Sequence, residues 1–116
     1  GGLKPNFYPE DIQNCADALQ KNKVNPNIMI DFSHGNSQKN HENQKKVSAS
    51  VCQQISEGDK NIVGVMIESH LKEGAQKISD NLEYGKSITD ACVHWDETKK
   101  LLSDLSASVK TRRSVG

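Results

Sequence analysis

The sequence predicts an α/β protein built on parallel strands, and three observations lead there. Asn27-Ile28-Met29-Ile30-Asp31-Phe32-Ser33-His34 is a short apolar run that ends abruptly in Asp, Ser and His. Ile62-Val63-Gly64-Val65-Met66-Ile67-Glu68-Ser69-His70 repeats the design. A buried parallel strand reads this way when its last residues emerge into a polar site. The third observation is spacing: His34 and Glu68 stand 34 positions apart, about one strand–helix unit of a parallel sheet or barrel. Adjacent parallel strands would bring both side chains to one edge.

The other elements follow in order. Residues 1–9 read as a loop interrupted by Gly-Gly, Pro5, Asn6 and Pro9. Pro9, Glu10 and Asp11 suit a first helical turn, since proline lacks the amide donor that goes unused there and acids favour the positive helix end. Ile12, Cys15, Ala16 and Leu19 continue as an apolar stripe of helical period, ending near Lys21–Lys23. Asn25-Pro26 turns into the first strand. After His34, Gly35-Asn36-Ser37 reads as a tight connection, with Asn36 or Ser37 available to cap the next helix. That helix is expected to run to about Glu57, with Val47, Val51 and Ile55 inward, Cys52 alongside, Gln38 to Lys46 facing solvent and Gly58 as the stop. Asp59-Lys60-Asn61 turns into the second strand. A polar connection of about 20 residues follows, ending near Asp90; loops this long are usually functional or disordered. A last helix is expected from near Asp96, with Leu101, Leu102, Leu105 and Val109 inward and Lys110, Arg112 and Arg113 at its negative end.

Composition bounds the function. At 116 residues, the chain is one domain or less, with no second domain. Net charge is zero, and no basic stripe suits nucleic acid or a membrane surface. No apolar stretch is long enough to span a bilayer. Hydrophobic residues make up 34%, which with glycine added still falls below the roughly 45–50% of ordinary domains. The chain opens Gly-Gly without a methionine. A tag scar or processed terminus is one explanation; the preferred one is a piece of a larger protein whose core is completed elsewhere. Cys15, Cys52 and Cys92 match no zinc or disulfide spacing. Cys15 and Cys52 fall on apolar helix faces, which suits a reducing, cytoplasmic setting.

Three residues could meet at the strand edge: His34, Glu68 and Asp90. One imidazole and two carboxylates suit a divalent metal such as Mn, Fe, Co or Zn. Each also has an ordinary reading: His34 as a helix cap or hydrogen-bonded histidine, Glu68 paired with Lys86, Asp90 as the cap of a turn over Ala91–Trp95. His70 and His94 are weaker candidates, His41 reads as solvated, and Asp31 could orient a neighbouring group. Gly85-Lys86-Ser87 suggests a phosphate loop, but that motif needs a glycine where Asp80 stands. Lys86 and Ser87 remain candidate contacts to an anionic substrate, with an ordinary exposed loop as the alternative.

Asp31-Phe32-Ser33-His34-Gly35-Asn36-Ser37, Gly64-Val65-Met66-Ile67-Glu68-Ser69-His70-Leu71 and Tyr84-Gly85-Lys86-Ser87-Ile88-Thr89-Asp90-Ala91-Cys92 together resemble the type I 3-deoxy-D-arabino-heptulosonate 7-phosphate (DAHP) synthases, the fungal ones in particular. The resemblance covers nearly the whole chain. It implies the C-terminal portion of a (β/α)8 TIM barrel, about two strands and three helices, incomplete as a barrel on its own. All of residues 1–116 would then be the C-terminal segment of one catalytic barrel domain. The implied activity is condensation of phosphoenolpyruvate with erythrose 4-phosphate, which opens the shikimate pathway to the aromatic amino acids. The resemblance further implies that His34, Glu68 and Asp90 are three of four protein ligands to a divalent metal, the fourth being a cysteine upstream. His34 would also take part in proton transfer. The implied partners are the two substrates, the remainder of the barrel and further copies in a homo-oligomer. The isolated chain is expected to be inactive, because the fourth ligand and most phosphate-binding cations lie upstream. A different class stays open: a non-catalytic α/β fragment or interaction module that retains barrel sequence.

Overall fold

The computed structural model describes residues 4–115. Its elements are α1 (Pro9–Lys21), β1 (Ile28–Asp31), a single-turn α2 (His34–Ser37), α3 (Asn43–Ser56), β2 (Ile62–Met66) and α4 (Trp95–Val115). β1 and β2 pair in parallel, Met29 opposite Gly64 and Asp31 opposite Met66, with an irregularity between Ile28 and Met29. The expected order of helix, strand, helix, strand, long connection and helix holds. The part of the loop expectation that falls on residues 1–3 lies outside the described residues.

The core forms where α1 and α3 cover one sheet face. Ile28, Ile30 and Phe32 meet Ile12 and Ala16 from α1 and Val47, Val51 and Ile55 from α3. α4 packs on α3 and adds Leu105 and Val109 at the margin. The opposite face is open: Met29 is 67% exposed, and Val63 and Met66 are exposed with it. A two-stranded sheet is marginal by itself. A cleft of about 410 Å³ runs beside β1, lined by Asn6, Cys15, Met29, Asp31 and His34 among others. The radius of gyration is 15.8 Å, where a compact chain of this length has roughly 13 Å. The chain is elongated, 51 × 30 × 19 Å, and leaves apolar surface uncovered.

Five expectations need correction. α3 begins at Asn43 rather than near Gln38, because Gln38 and Lys39 both adopt left-handed backbone (φ 55° and 61°), which a helix cannot continue through. Asn36 and Ser37 do not cap α3; Ser33 precedes α2 and Glu42 precedes α3. The polar stretch 38–46 is not all solvent-facing, since Gln44 is completely buried. Cys15 is exposed toward the β1 cleft, and Leu102 is 51% exposed because it sits off the phase shared by Leu101, Leu105 and Val109.

The end of α4 does more than complement its dipole. Arg112 Nη1 donates to the carbonyls of Asp59 and Ile62, each at 2.8 Å. This clamps the helix end to the start of β2. Arg112→Met keeps the aliphatic stem and removes both bonds, so it should lower stability by about 1–3 kcal/mol. Hydrogen exchange should show the loss concentrated in the last turns of α4; unchanged protection there would refute the clamp.

Candidate metal centre

The site is built on the turn after β1. Asp31, the last residue of β1, uses both carboxylate oxygens locally. Oδ1 accepts the Ser33 amide at 2.8 Å, and Oδ2 accepts His34 Nδ1–H at 2.8 Å. Its carbonyl accepts the Asn36 side-chain amide at 2.8 Å, while Asn36 Oδ1 accepts the Asn6 amide at 2.7 Å. These bonds hold His34 at φ 51°, in the left-handed region. Such a backbone costs a residue with a Cβ on the order of 1–3 kcal/mol and persists only when the surroundings over-determine it.

With Nδ1 engaged by Asp31, His34 turns Nε2 toward Asp90 Oδ2 at 3.1 Å and Glu68 Oε1 at 3.5 Å. One donor atom from each of His34, Glu68 and Asp90 lies within 4.8 Å of the other two. The imidazole pKa is raised above its usual 6.5, chiefly by the hydrogen bond to Asp31 and then by that to Asp90. His34 is hydrogen-bonded, as its ordinary reading has it, while the ordinary readings of Glu68 and Asp90 do not hold. Glu68 faces His34 rather than Lys86. Asp90 caps no helix, because Cys92 and Val93 are extended and bridge to Gly74 and Ser69.

Glu68 stands two residues beyond β2, and its backbone is held from both sides. The Gln44 amide donates to its carbonyl at 3.0 Å, and Gln44 Oε1 accepts its N–H at 3.1 Å. Val93 N–H donates to the same carbonyl at 3.0 Å. Asp90 is carried by the long connection, which folds on itself: Gln76 N–H donates to the Ser87 carbonyl, and the Gln76 side chain ties Glu83 and Lys86. Gly85 turns this segment at φ 79°, where an added Cβ would stand 3.0 Å from Leu71 Cβ. Cys92 lies beside the cluster, buried, its thiol donating to the Asp90 carbonyl at 3.3 Å. Burial pushes that thiol pKa up, and the nearby Glu68 and Asp90 charges add to the rise, so it stays protonated at neutral pH.

Other candidates sit elsewhere. His70 Nδ1 accepts the Leu71 amide, and His94 Nδ1 accepts the Glu97 amide at the head of α4. His41 pairs with Glu73 at 3.2 Å. Lys86 approaches Glu83 at 3.6 Å, and the Ser87 hydroxyl accepts the Thr89 amide at 3.1 Å. Gln44 escaped the sequence reading. Its signal was phase: it continues the buried stripe of Val47, Ser48, Val51 and Ile55 as a polar residue in an inward position.

An α/β unit that brings an imidazole and a carboxylate from its parallel strand ends together with a carboxylate from the following connection is the class that this geometry defines. The chain belongs to the DAHP synthetase I family, whose sequence model matches residues 1–103. It is 52% identical to the tyrosine-inhibited phospho-2-dehydro-3-deoxyheptonate aldolase of Schizosaccharomyces pombe, over 97% of this chain and 32% of that protein. It is 48% identical to the Phe-sensitive enzyme of Escherichia coli K12, over 97% of this chain and 33% of that protein. The solved structure of the Francisella tularensis SCHU S4 aldolase superposes with a TM-score of 0.92 at 45% identity, covering 97% of this chain and 33% of that one. The chain therefore spans about a third of the length of these relatives.

Proposed function

We propose that this chain is the C-terminal third of a (β/α)8-barrel DAHP synthase, which condenses phosphoenolpyruvate with erythrose 4-phosphate. The observation that carries the proposal is the convergence of His34 Nε2, Glu68 and Asp90 at one end of the β1–β2 pair. The donor set fits a borderline-hard divalent ion such as Mn, Fe, Co or Zn. Asp31 holds Nδ1–H, so His34 has Nε2 to offer, the arrangement by which a carboxylate fixes the tautomer of a ligating histidine. His34, Glu68 and Asp90 would hold the ion together with a cysteine from the rest of the barrel. A bound ion would supply Lewis-acid polarisation of the erythrose 4-phosphate aldehyde.

The chain's own residues do the rest. Asp31 and Gln44 hold the His34 and Glu68 ligands in register. His34 is also assigned to proton transfer near phosphoenolpyruvate. Lys86 and Ser87 are assigned to an anionic group of the substrate; in the free chain Lys86 approaches Glu83 at 3.6 Å, and Ser87 is buried with its hydroxyl accepting the Thr89 amide. The open face around Met29, Val63 and Met66 is the surface that the missing strands would cover. The isolated chain is then inactive, and the complete protein works in the cytoplasm as a homo-oligomer. No helix among the described residues is long and apolar enough to cross a membrane.

The test joins this segment to the first two-thirds of the S. pombe relative to make a complete chain. Such a chain should bind about one Co²⁺ and release phosphate from phosphoenolpyruvate only when erythrose 4-phosphate is present. A folded complete chain that does neither would refute the proposal.

Binding should also depend on pH in a set direction. The metal needs Nε2 unprotonated, while Asp31 and Asp90 favour the imidazolium and raise its pKa. Co²⁺ affinity should therefore fall by about tenfold per pH unit below that raised pKa and level off above it. In the metal-free chain the linkage runs the other way. The folded pKa exceeds the unfolded value, so the His34 contribution to stability is complete below about 6.5 and is lost as pH rises through the folded value. The side chain is more than a third exposed, so solvent screening keeps that contribution small. An affinity independent of pH from 5 to 8 would rule out His34 as a ligand.

A further inference from the structure

We infer that Gln44 is a positioning residue for the metal centre, acting through the backbone of Glu68. The inference rests on the metal-site reading above and extends it to a residue on a different element. Gln44 stands in the first turn of α3, fully buried, on the helix face that otherwise carries Val47, Ser48, Val51 and Ile55. A buried primary amide has a desolvation cost unless its groups are paired. Here both ends pair with a single residue: Nε2–H donates to the Glu68 carbonyl and Oε1 accepts the Glu68 N–H. That is the bonding a neighbouring strand would give, supplied by a side chain two residues after β2 has ended.

The consequence is directional. Without Gln44, the Glu68 N–H has no partner among the described residues, and its carbonyl keeps only the bond from Val93. Val93 lies on the same connection that carries Asp90, so that bond ties Glu68 to a loop rather than to the scaffold. Gln44 ties it to α3, which is packed into the core. Ligand distances in a metal site are held to about 0.2 Å, so a ligand whose backbone is free to shift loses affinity before the fold is lost.

The experiment compares Co²⁺ binding by the complete chain with Gln44→Met, Gln44→Asn and Arg112→Met versions of it. Gln44→Met keeps the volume and deletes both bonds. Gln44→Asn keeps the amide and withdraws it by one methylene, which guards against a simple folding failure. Arg112→Met removes two backbone bonds at the other end of β2 and serves as the stability control. Both Gln44 variants should weaken Co²⁺ binding by about 10–100-fold and shift the visible ligand-field bands. Arg112→Met should lower the melting temperature and leave the Kd and bands as they are. Unchanged binding in the folded Gln44 variants would overturn the inference and leave the metal site standing. An equal loss in Arg112→Met would overturn it too, by tracing the effect to general stability. If the unsubstituted complete chain binds no Co²⁺, the metal reading falls and this inference falls with it.

Discussion

Glu68→Ala in the complete chain should abolish saturable Co²⁺ binding and lower turnover by about a thousandfold or more. The magnitude follows from what the ligand does. Removing a residue that merely supports a ligand costs about 10–100-fold in metal affinity, and removing the ligand costs more. Lewis-acid polarisation supplies several kcal/mol to a carbonyl reaction, and each 1.36 kcal/mol is a factor of ten in rate. The fold should barely respond. The Glu68 side chain is partly exposed, its charged neighbours include His34 and the like-charged Asp90, and the Gln44 and Val93 bonds go to its backbone, which alanine keeps. Circular dichroism and melting temperature should match the parent while metal binding is lost. A variant that still binds one Co²⁺ per chain with the parent spectrum would remove Glu68 from the ligand set and leave His34 and Asp90 as an ordinary ion pair.

The separation of site from scaffold also explains which features the sequence displayed. The two strands were visible because apolar runs of strand length leave little alternative, and the site because each run ends in groups that strand burial would not tolerate. His34, Glu68 and Asp90 could be nominated one by one. That they come within 4.8 Å depends on the parallel register of β1 with β2 and on the folding of residues 67–94, neither of which is a local property. The misread features are tertiary in the same sense. Gln44 looks like one more polar residue in a polar run until a strand end 24 positions away needs a donor and an acceptor. Arg112 looks like a dipole complement until the carbonyls of Asp59 and Ile62 stand in reach. The break at Gln38 and Lys39 has no apolar signal, since left-handed backbone at those positions comes from the turn hydrogen bonds that follow α2. Cys15 lay on a true apolar stripe, and its exposure reflects an open edge beside β1 rather than a wrong phase.

Phe32→Ala should have the largest effect on stability, and it tests whether the scaffold and site share one anchor. Phe32 is fully buried, one residue past β1, with its N–H donating to the Met66 carbonyl at 2.8 Å. The sequence has only two phenylalanines, and this is the largest of the fully buried side chains. Truncating a buried phenylalanine typically costs about 3–5 kcal/mol, through lost burial and the cavity left behind. Domains have about 5–15 kcal/mol in total. A chain with one sheet face uncovered belongs at the low end, so the isolated segment should lose cooperative unfolding altogether, while the complete chain should stay folded with a lower urea midpoint. The site should suffer as well. Asp31 and Ser33 flank Phe32, and the bonds that hold His34 at φ 51° run between them. A ring locked in the core lets that turn keep a strained histidine; a methyl group in a cavity does not. Co²⁺ affinity in the complete chain should therefore drop together with the urea midpoint, whereas Phe32→Leu, which refills most of the space, should recover most of both. A large stability loss with unchanged affinity would show that the Asp31–His34 turn supports itself. The strain at His34 would then be held by its own hydrogen bonds rather than by the core beneath it.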